Sequence, residues 1–138
     1  MTEAKAPLPA LDPANTPFWT GGADGNLLIC KCDACHRWLH PPVPICRFCL
    51  STDVAPESSS GRGEVLTYTI NRQPWLPTLP PPYVIAVIGL DDDPELRLTS
   101  RLVDVEPDEV AIGMRVRVCF EEAGDVWLPL FTPERSRS

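Results

Sequence analysis

The sequence predicts a mainly β chain with a short helical start, a small metal-clipped segment and a barrel of five short strands. Three observations carry that expectation. Seventeen prolines in 138 residues disfavour long helices and the interiors of central strands, so the elements must be short. Five of the six cysteines fall within residues 30–50. From Gly63 onward the pattern has period two and is broken at intervals by turn residues, as strands joined by short connections require. The 43% apolar content is enough to build a core.

Taken in order, residues 1–14 are rich in Pro and Ala without periodicity and read as a tail. Thr16 followed by Pro17 predicts an N-cap and first-turn pair, opening a short helix through Phe18 and Trp19 that the glycines at 21, 22 and 25 end. Residues 27–29 form a short apolar strand leading into the cysteines. Residues 58–63 (SSSGRG preceded by polar residues) read as a linker, which divides the chain into a first unit over 15–60 and a second over 61–132, with a tail at 133–138. In the second unit, 64–71 alternates Val65, Thr67 and Thr69 against Leu66, Tyr68 and Ile70. Residues 83–90 are apolar on both faces, as a central strand is. Asp91, Asp92, Asp93 and Pro94 make a turn. Residues 96–102 alternate, 107–110 supply one helical turn, 115–121 turn Val116, Val118 and Phe120 inward, and 127–131 close the set. Five strands with a helical turn between the third and fourth match the count and order of an OB-fold barrel.

Cys32 and Cys35, then Cys46 and Cys49, form two C-x2-C pairs separated by ten residues. Two residues between paired cysteines let both sulfurs reach one ion from a single knuckle, and two knuckles complete a tetrahedron that suits Zn2+. Four thiolates leave no open position for water or substrate, so the metal is structural. Buried thiols, a redox dithiol pair and an iron centre of the same geometry are the alternatives. Knuckles favour glycine after the second cysteine, where the backbone turns left-handed; here His36 and Leu50 stand there, which predicts strain at Leu50 and weaker metal affinity. Cys30, His36 and His40 are spare ligands read as structural, and Cys119 is read as packing.

The net charge is −7, with 19 acidic against 12 basic residues, and Lys5 and Lys31 are the only lysines. That balance opposes a nucleic-acid-binding module, whose affinity needs clustered cations. Neither an apolar run long enough to span a bilayer nor a signal peptide's apolar centre occurs, so a cytoplasmic location is expected. No nucleophile elbow or glycine-rich phosphate loop is present.

One ordered set of features resembles a known family. Pro17-Phe18-Trp19 and Leu27 precede Cys32-Asp33-Ala34-Cys35, Pro41-Pro42 and Cys46-x2-Cys49. Gly61-Arg62-Gly63-Glu64-Val65 and Pro82-Tyr83-Val84-Ile85-Ala86 follow, then Ile112-Gly113-Met114-x-Val116 and Leu128-Pro129-Leu130-Phe131. Over residues 15–132 the chain is similar to the acyl-CoA-associated family that joins an N-terminal helix and rubredoxin-like zinc ribbon to an OB-fold, long catalogued as a domain of unknown function. The resemblance implies a subunit without catalytic residues of its own, in a hetero-oligomer with a thiolase-fold protein at a shared acyl-CoA site. The reaction it implies is retro-aldol cleavage of a β-hydroxyacyl-CoA with a steroid-type side chain, or alternatively thiolytic or condensing chemistry. An OB-fold nucleic-acid module and an independent thioesterase or hydratase are the competing readings.

Candidate binding residues follow from loop chemistry. Residues 72–82 form a stiff, apolar, proline-rich loop in which Trp75, Leu76 and Leu79 are candidate partner anchors; the alternative is that Trp75 folds back to cap the barrel. Phe18 and Trp19 form a helix face packed on a partner or on the ribbon. Arg62 and Arg72 flank the first barrel strand and are candidates for CoA phosphates, if they are not ordinary solvated side chains.

Overall fold

A computed structural model of the chain describes residues 11–13, 15–73 and 80–134. It is mostly strand, with one short helix, a cysteine-bearing ribbon and a closed five-stranded barrel. Helix α1 spans Thr16–Thr20 and runs into a 3-10 turn at Gly21–Asp24. The cap differs from expectation. Asn15 is the N-cap, and Thr16 is the first helical residue, with its hydroxyl donating to the Asp12 carbonyl at 2.6 Å. The side chains of Asp12 and Asn15 instead accept each other's backbone N–H, each at 2.8 Å, which closes the turn before the helix and leaves neither side chain for the helix itself. Gly22 lies against the barrel so closely that a β-carbon would stand 2.6 Å from Phe120 and from Trp127, so no larger residue fits.

The ribbon sheet has the order β2 (Trp38–Leu39), β1 (Leu28–Cys32), β3 (Val54–Ser58). Neither β2 nor β3 is foreseen from the sequence. β3 has Pro56 at its centre and four of its five residues exposed, so it lacks an alternating apolar face, and Pro is tolerated there because the strand is an edge. The expected linker consequently shrinks to residues 59–61.

The barrel strands are β4 (Arg62–Asn71), β5 (Tyr83–Leu90), β6 (Arg97–Leu102), β7 (Arg115–Ala123) and β8 (Val126–Pro133). They close in the order β4-β5-β6-β8-β7, all neighbours being antiparallel except the parallel contact of β6 with β8. A 3-10 turn at Pro107–Glu109 sits between the third and fourth barrel strands. One face assignment is corrected. Val65 pairs with Ile88 while Thr67 pairs with Val87, so Leu66 is an extra residue in a β-bulge. The bulge moves Tyr68 and Ile70 to the side of Val65, where they pack on the core, and turns Thr67 and Thr69 out to solvent.

One apolar core runs from the helix through the base of the ribbon into the barrel: Phe18, Leu27, Ile29 and Trp38 join Val65, Ile88, Val116 and Phe131. Each fully buried large side chain contributes about 1.5–3 kcal/mol. The turn between β5 and β6 adds a polar junction. Asp91 pairs with Arg115 of β7. Asp92 accepts from the hydroxyls of Ser59 and Ser60 at 2.7 and 3.1 Å and from the Ser60 N–H at 3.0 Å. Asp93, 5% exposed, accepts from Arg37 Nε and Nη2 at 2.8 and 3.1 Å, from the Trp38 N–H at 3.2 Å and from the Glu95 N–H at 2.9 Å. Three consecutive aspartates thus tie one barrel turn to β7, to the linker and to the ribbon.

Hydrogen bonding from Arg37, aided by the N–H groups of Glu95 and Trp38, outweighs burial and holds the Asp93 carboxyl below its ordinary value. A lowered folded-state pKa stabilises above the unfolded value of about 3.9 and loses that stabilisation as pH falls through the folded pKa. Asp93→Ala is expected to lower stability by about 2 kcal/mol in denaturant melts. Asp93→Asn is expected to flatten the loss of thermal stability that the parent chain shows on acidification below about pH 4.

Candidate metal centre

The four cysteines of the two C-x2-C pairs converge. Their sulfurs all lie within 4.8 Å of one another, with Cys32 Sγ 3.5 Å from Cys49 Sγ and Cys35 Sγ 3.6 Å from Cys46 Sγ. A tetrahedron with zinc–sulfur bonds of about 2.3 Å has edges of about 3.8 Å, so the cage has the size of a zinc tetrathiolate. Cys32 and Cys46 are fully buried, Cys35 is half-buried and Cys49 is exposed.

The two knuckles have the same local geometry, which is why one ion suits both. In the first, the His36 N–H donates to the Cys32 carbonyl at 2.8 Å and the Cys32 N–H to the Arg37 carbonyl at 2.9 Å. In the second, the Leu50 N–H donates to the Cys46 carbonyl at 2.9 Å and the Cys46 N–H to the Ser51 carbonyl at 2.8 Å. The positions after the second cysteines are left-handed, φ 67° at His36 and 66° at Leu50, the conformation for which glycine is favoured. Leu50 therefore carries backbone strain while its side chain is 75% exposed and gains little packing in return.

The thiols resist ionising together. Burial opposes ionisation of Cys46, but N–H groups of Cys49 and Phe48 outweigh it and bring that thiol down to about 6. At Cys49 the Ser51 N–H favours the thiolate, yet desolvation and the other three cysteines push it up to about 12. A divalent cation eases the conflict: by bonding to all four sulfurs it holds each as a thiolate and offsets half of their charge. The four cysteines are positioned to bind a zinc ion, and the closed set makes that ion structural.

The spare ligands stay apart from the cage. Among the described residues the metal-ligating group contains the four cysteines alone. Cys30 is buried, with its sulfur 3.8 Å from the Val43 carbonyl. His40 packs on Phe18 with ring centroids 4.9 Å apart, and burial lowers its pKa. His36 is exposed. Cys119 is half-buried, and burial raises its thiol pKa.

Of the candidate binding residues, Phe18 is 5% exposed and sits in this chain's own core, edge-on to Trp19 with centroids 4.7 Å apart. Trp19 is half-buried beside it. Trp75, Leu76 and Leu79 lie outside the described residues. Arg62 is exposed and pairs with Glu134 at 3.6 Å. Arg72 is exposed at the far end of β4, roughly 30 Å away at about 3.3 Å per residue, so the two arginines form no common phosphate clamp. Sequence reasoning missed Arg37 and Asp93, whose pairing across 56 positions leaves no local signal.

The ribbon's closed cage and the barrel's strand order define a zinc ribbon joined to an OB-fold. The model of the rubredoxin-like zinc ribbon domain of ChsH2 matches residues 19–55, and that of the ChsH2 C-terminal OB-fold domain matches residues 57–121. A DUF35 domain-containing scaffold protein of Methanocaldococcus jannaschii is 35% identical over 104 residues, 72% of each chain. A 3-oxo-4,17-pregnadiene-20-carboxyl-CoA hydratase alpha subunit of Mycobacterium tuberculosis is 33% identical over 118 residues, 85% of this chain and 37% of that protein. A solved structure described as the Ltp2-ChsH2(DUF35) aldolase superposes with a TM-score of 0.80 at 35% identity, covering 91% of this chain and 98% of that one. The chain belongs to the ChsH2-like DUF35 family of zinc-ribbon and OB-fold proteins. It spans 37% of the length of that hydratase alpha subunit, and 41% of a probable enoyl-CoA hydratase alpha subunit of Thermomonospora curvata to which it is 34% identical over 95% of its own length.

Leu50→Gly is expected to stabilise the ribbon by about 1 kcal/mol through relief of the left-handed strain, read as a higher melting temperature and slower zinc loss to a chelator. His36→Gly is expected to gain less, because His tolerates that conformation better. Cys46→Ser is expected to abolish stoichiometric zinc and unfold the ribbon.

Proposed function

We propose that this chain is an accessory subunit of an acyl-CoA-processing complex, working beside a thiolase-fold partner that carries the catalytic residues. The observation that carries the reading is the likeness, over nearly the whole of that chain, to the DUF35 component of an aldolase assembly. The metal set supports it, since four thiolates leave no position at which zinc can activate a nucleophile. The zinc ribbon and barrel then act as a scaffold that helps to form the acyl-CoA site.

The reaction proposed is retro-aldol cleavage of a β-hydroxyacyl-CoA, with a steroid-type side chain as the acyl group. A hydratase acting on an enoyl-CoA makes a β-hydroxyacyl-CoA, so the hydratase-subunit and aldolase relatives point to consecutive chemistry. The proline-rich loop at 72–82, with Trp75, Leu76 and Leu79, is proposed to meet the partner.

Co-expression with a thiolase-like protein tests the reading. A stable hetero-oligomer on size exclusion is expected, with cleavage of β-hydroxyacyl-CoA that consumes no free CoA and is absent from either chain alone. Cleavage of the β-ketoacyl-CoA instead, with one CoA consumed per turnover and none of the β-hydroxyacyl-CoA cleaved, would replace retro-aldol by thiolytic chemistry. Turnover by this chain alone, or no complex with any such partner, would overturn the proposal.

A further inference from the structure

A second feature of the fold is not used by the metal centre or by the subunit reading. Between α1, the 40–42 segment and the outer faces of β6 and β8 lies a cleft of about 700 Å3, within the range of small-molecule sites. Phe18, Trp19, Leu128 and Leu130 give it apolar and aromatic walls. Its polar groups are few and half are already occupied. The Ser100 hydroxyl donates to the Pro129 carbonyl at 2.6 Å, and Arg101 pairs with Glu121 at 3.4 Å.

Besides the exposed Thr99 hydroxyl, two nitrogen-bearing groups in the lining are left over. Arg97 points a guanidinium from the exposed face of β6 and has no ion pair or hydrogen bond among the described residues. It is an uncompensated cation in a chain of net charge −7. The Nδ1 atom of His40 is buried without a hydrogen-bond partner among the described residues, a cost of about 1–3 kcal/mol unless another molecule meets it. Burial also lowers the pKa of this imidazole, which favours its neutral form in the cleft wall.

We propose that this cleft binds a small amphiphilic anion, with a compact apolar or aromatic body against Phe18 and Trp19 and a carboxylate or phosphate head on Arg97. A guanidinium grips either head group by paired hydrogen bonds, and the aromatic walls supply the apolar surface that a body of this size covers. The site is built within one chain and needs no partner, so it stands apart from the subunit reading.

Three probes sharing one body separate the contributions: 4-phenylbutyrate, 4-phenylbutyl phosphate and the neutral 4-phenylbutan-1-ol, titrated into the zinc-loaded full chain. Calorimetry and backbone amide shifts are the readouts. At least one anion is expected to saturate, with the largest shifts at 97–101 and 128–130, and to bind about tenfold or more tightly than the alcohol. The tighter anion identifies the head group. Arg97→Ala is expected to remove that advantage and leave alcohol binding unchanged, whereas Arg117→Ala on β7, outside the cleft, is expected to change neither. Equal affinity for alcohol and anions, or an Arg97→Ala chain that binds as the parent does, would sink the proposal. So would cleft amides that respond to none of the probes and shift only when a thiolase-like protein is added, because the cleft is then a protein interface.

Discussion

Asp93 is the one charged side chain that the described core closes over, and the joining of ribbon to barrel depends on how it is satisfied. A buried carboxylate is costly unless its oxygens are met, and here four donors meet them: two from Arg37 and the backbone N–H groups of Trp38 and Glu95. Two of those three residues belong to the ribbon and one to the barrel turn. The same Arg37 guanidinium lies 3.8 Å from the ring centre of Phe48, between the cysteines of the second knuckle. A chain of touching groups therefore runs from the metal cage through Phe48 and Arg37 to Asp93. The ribbon is fixed against the barrel by this polar chain on one side and by the shared apolar core on the other.

The ribbon needs that help and the metal as well. Its own buried cluster on the metal side is Cys30, Cys32, Leu39 and Cys46, with Val43, Phe48 and Val54 partly buried around it. So little apolar surface cannot offset the entropy of ordering two knuckles, and ion binding supplies the remainder as folding free energy. The left-handed Leu50 shows the margin being used: the cage tolerates a strained, exposed residue because coordination over-determines the backbone there.

What the sequence made legible follows from which signals are local. The C-x2-C pairs, the apolar run of β5, the alternation in β6 and β7 and the turn at Asp91 to Pro94 each declare themselves within ten residues, and the cage and barrel were readable from them. The left-handed backbone at His36 and Leu50 was also readable, because the knuckle dictates it whatever residue stands there. By contrast β3 has no apolar period, and the flip of Tyr68 and Ile70 comes from a bulge that depends on the partner strand. The role of Asp93 was hidden by its setting in a run of three aspartates that looks like an ordinary polar turn. Arg62 and Arg72 read as a pair because both flank β4, and the length of that strand separates them.

The closure of the barrel leaves a consequence for how this chain behaves at high concentration. A cylinder of strands offers no free backbone edge, so the open edges among the described strands belong to the ribbon, at β2 and β3. Just past β3 the Ser59 N–H donates to the Leu27 carbonyl, which sets the ladder so that residues 54, 56 and 58 turn their backbone outward. The middle one of these three is Pro56, which has no N–H to offer, and the neighbouring Glu57 adds charge. An incoming strand would find its central hydrogen bond missing, and the opposite edge is only two residues long. The same proline that concealed β3 from sequence reasoning keeps the ribbon from recruiting copies of itself.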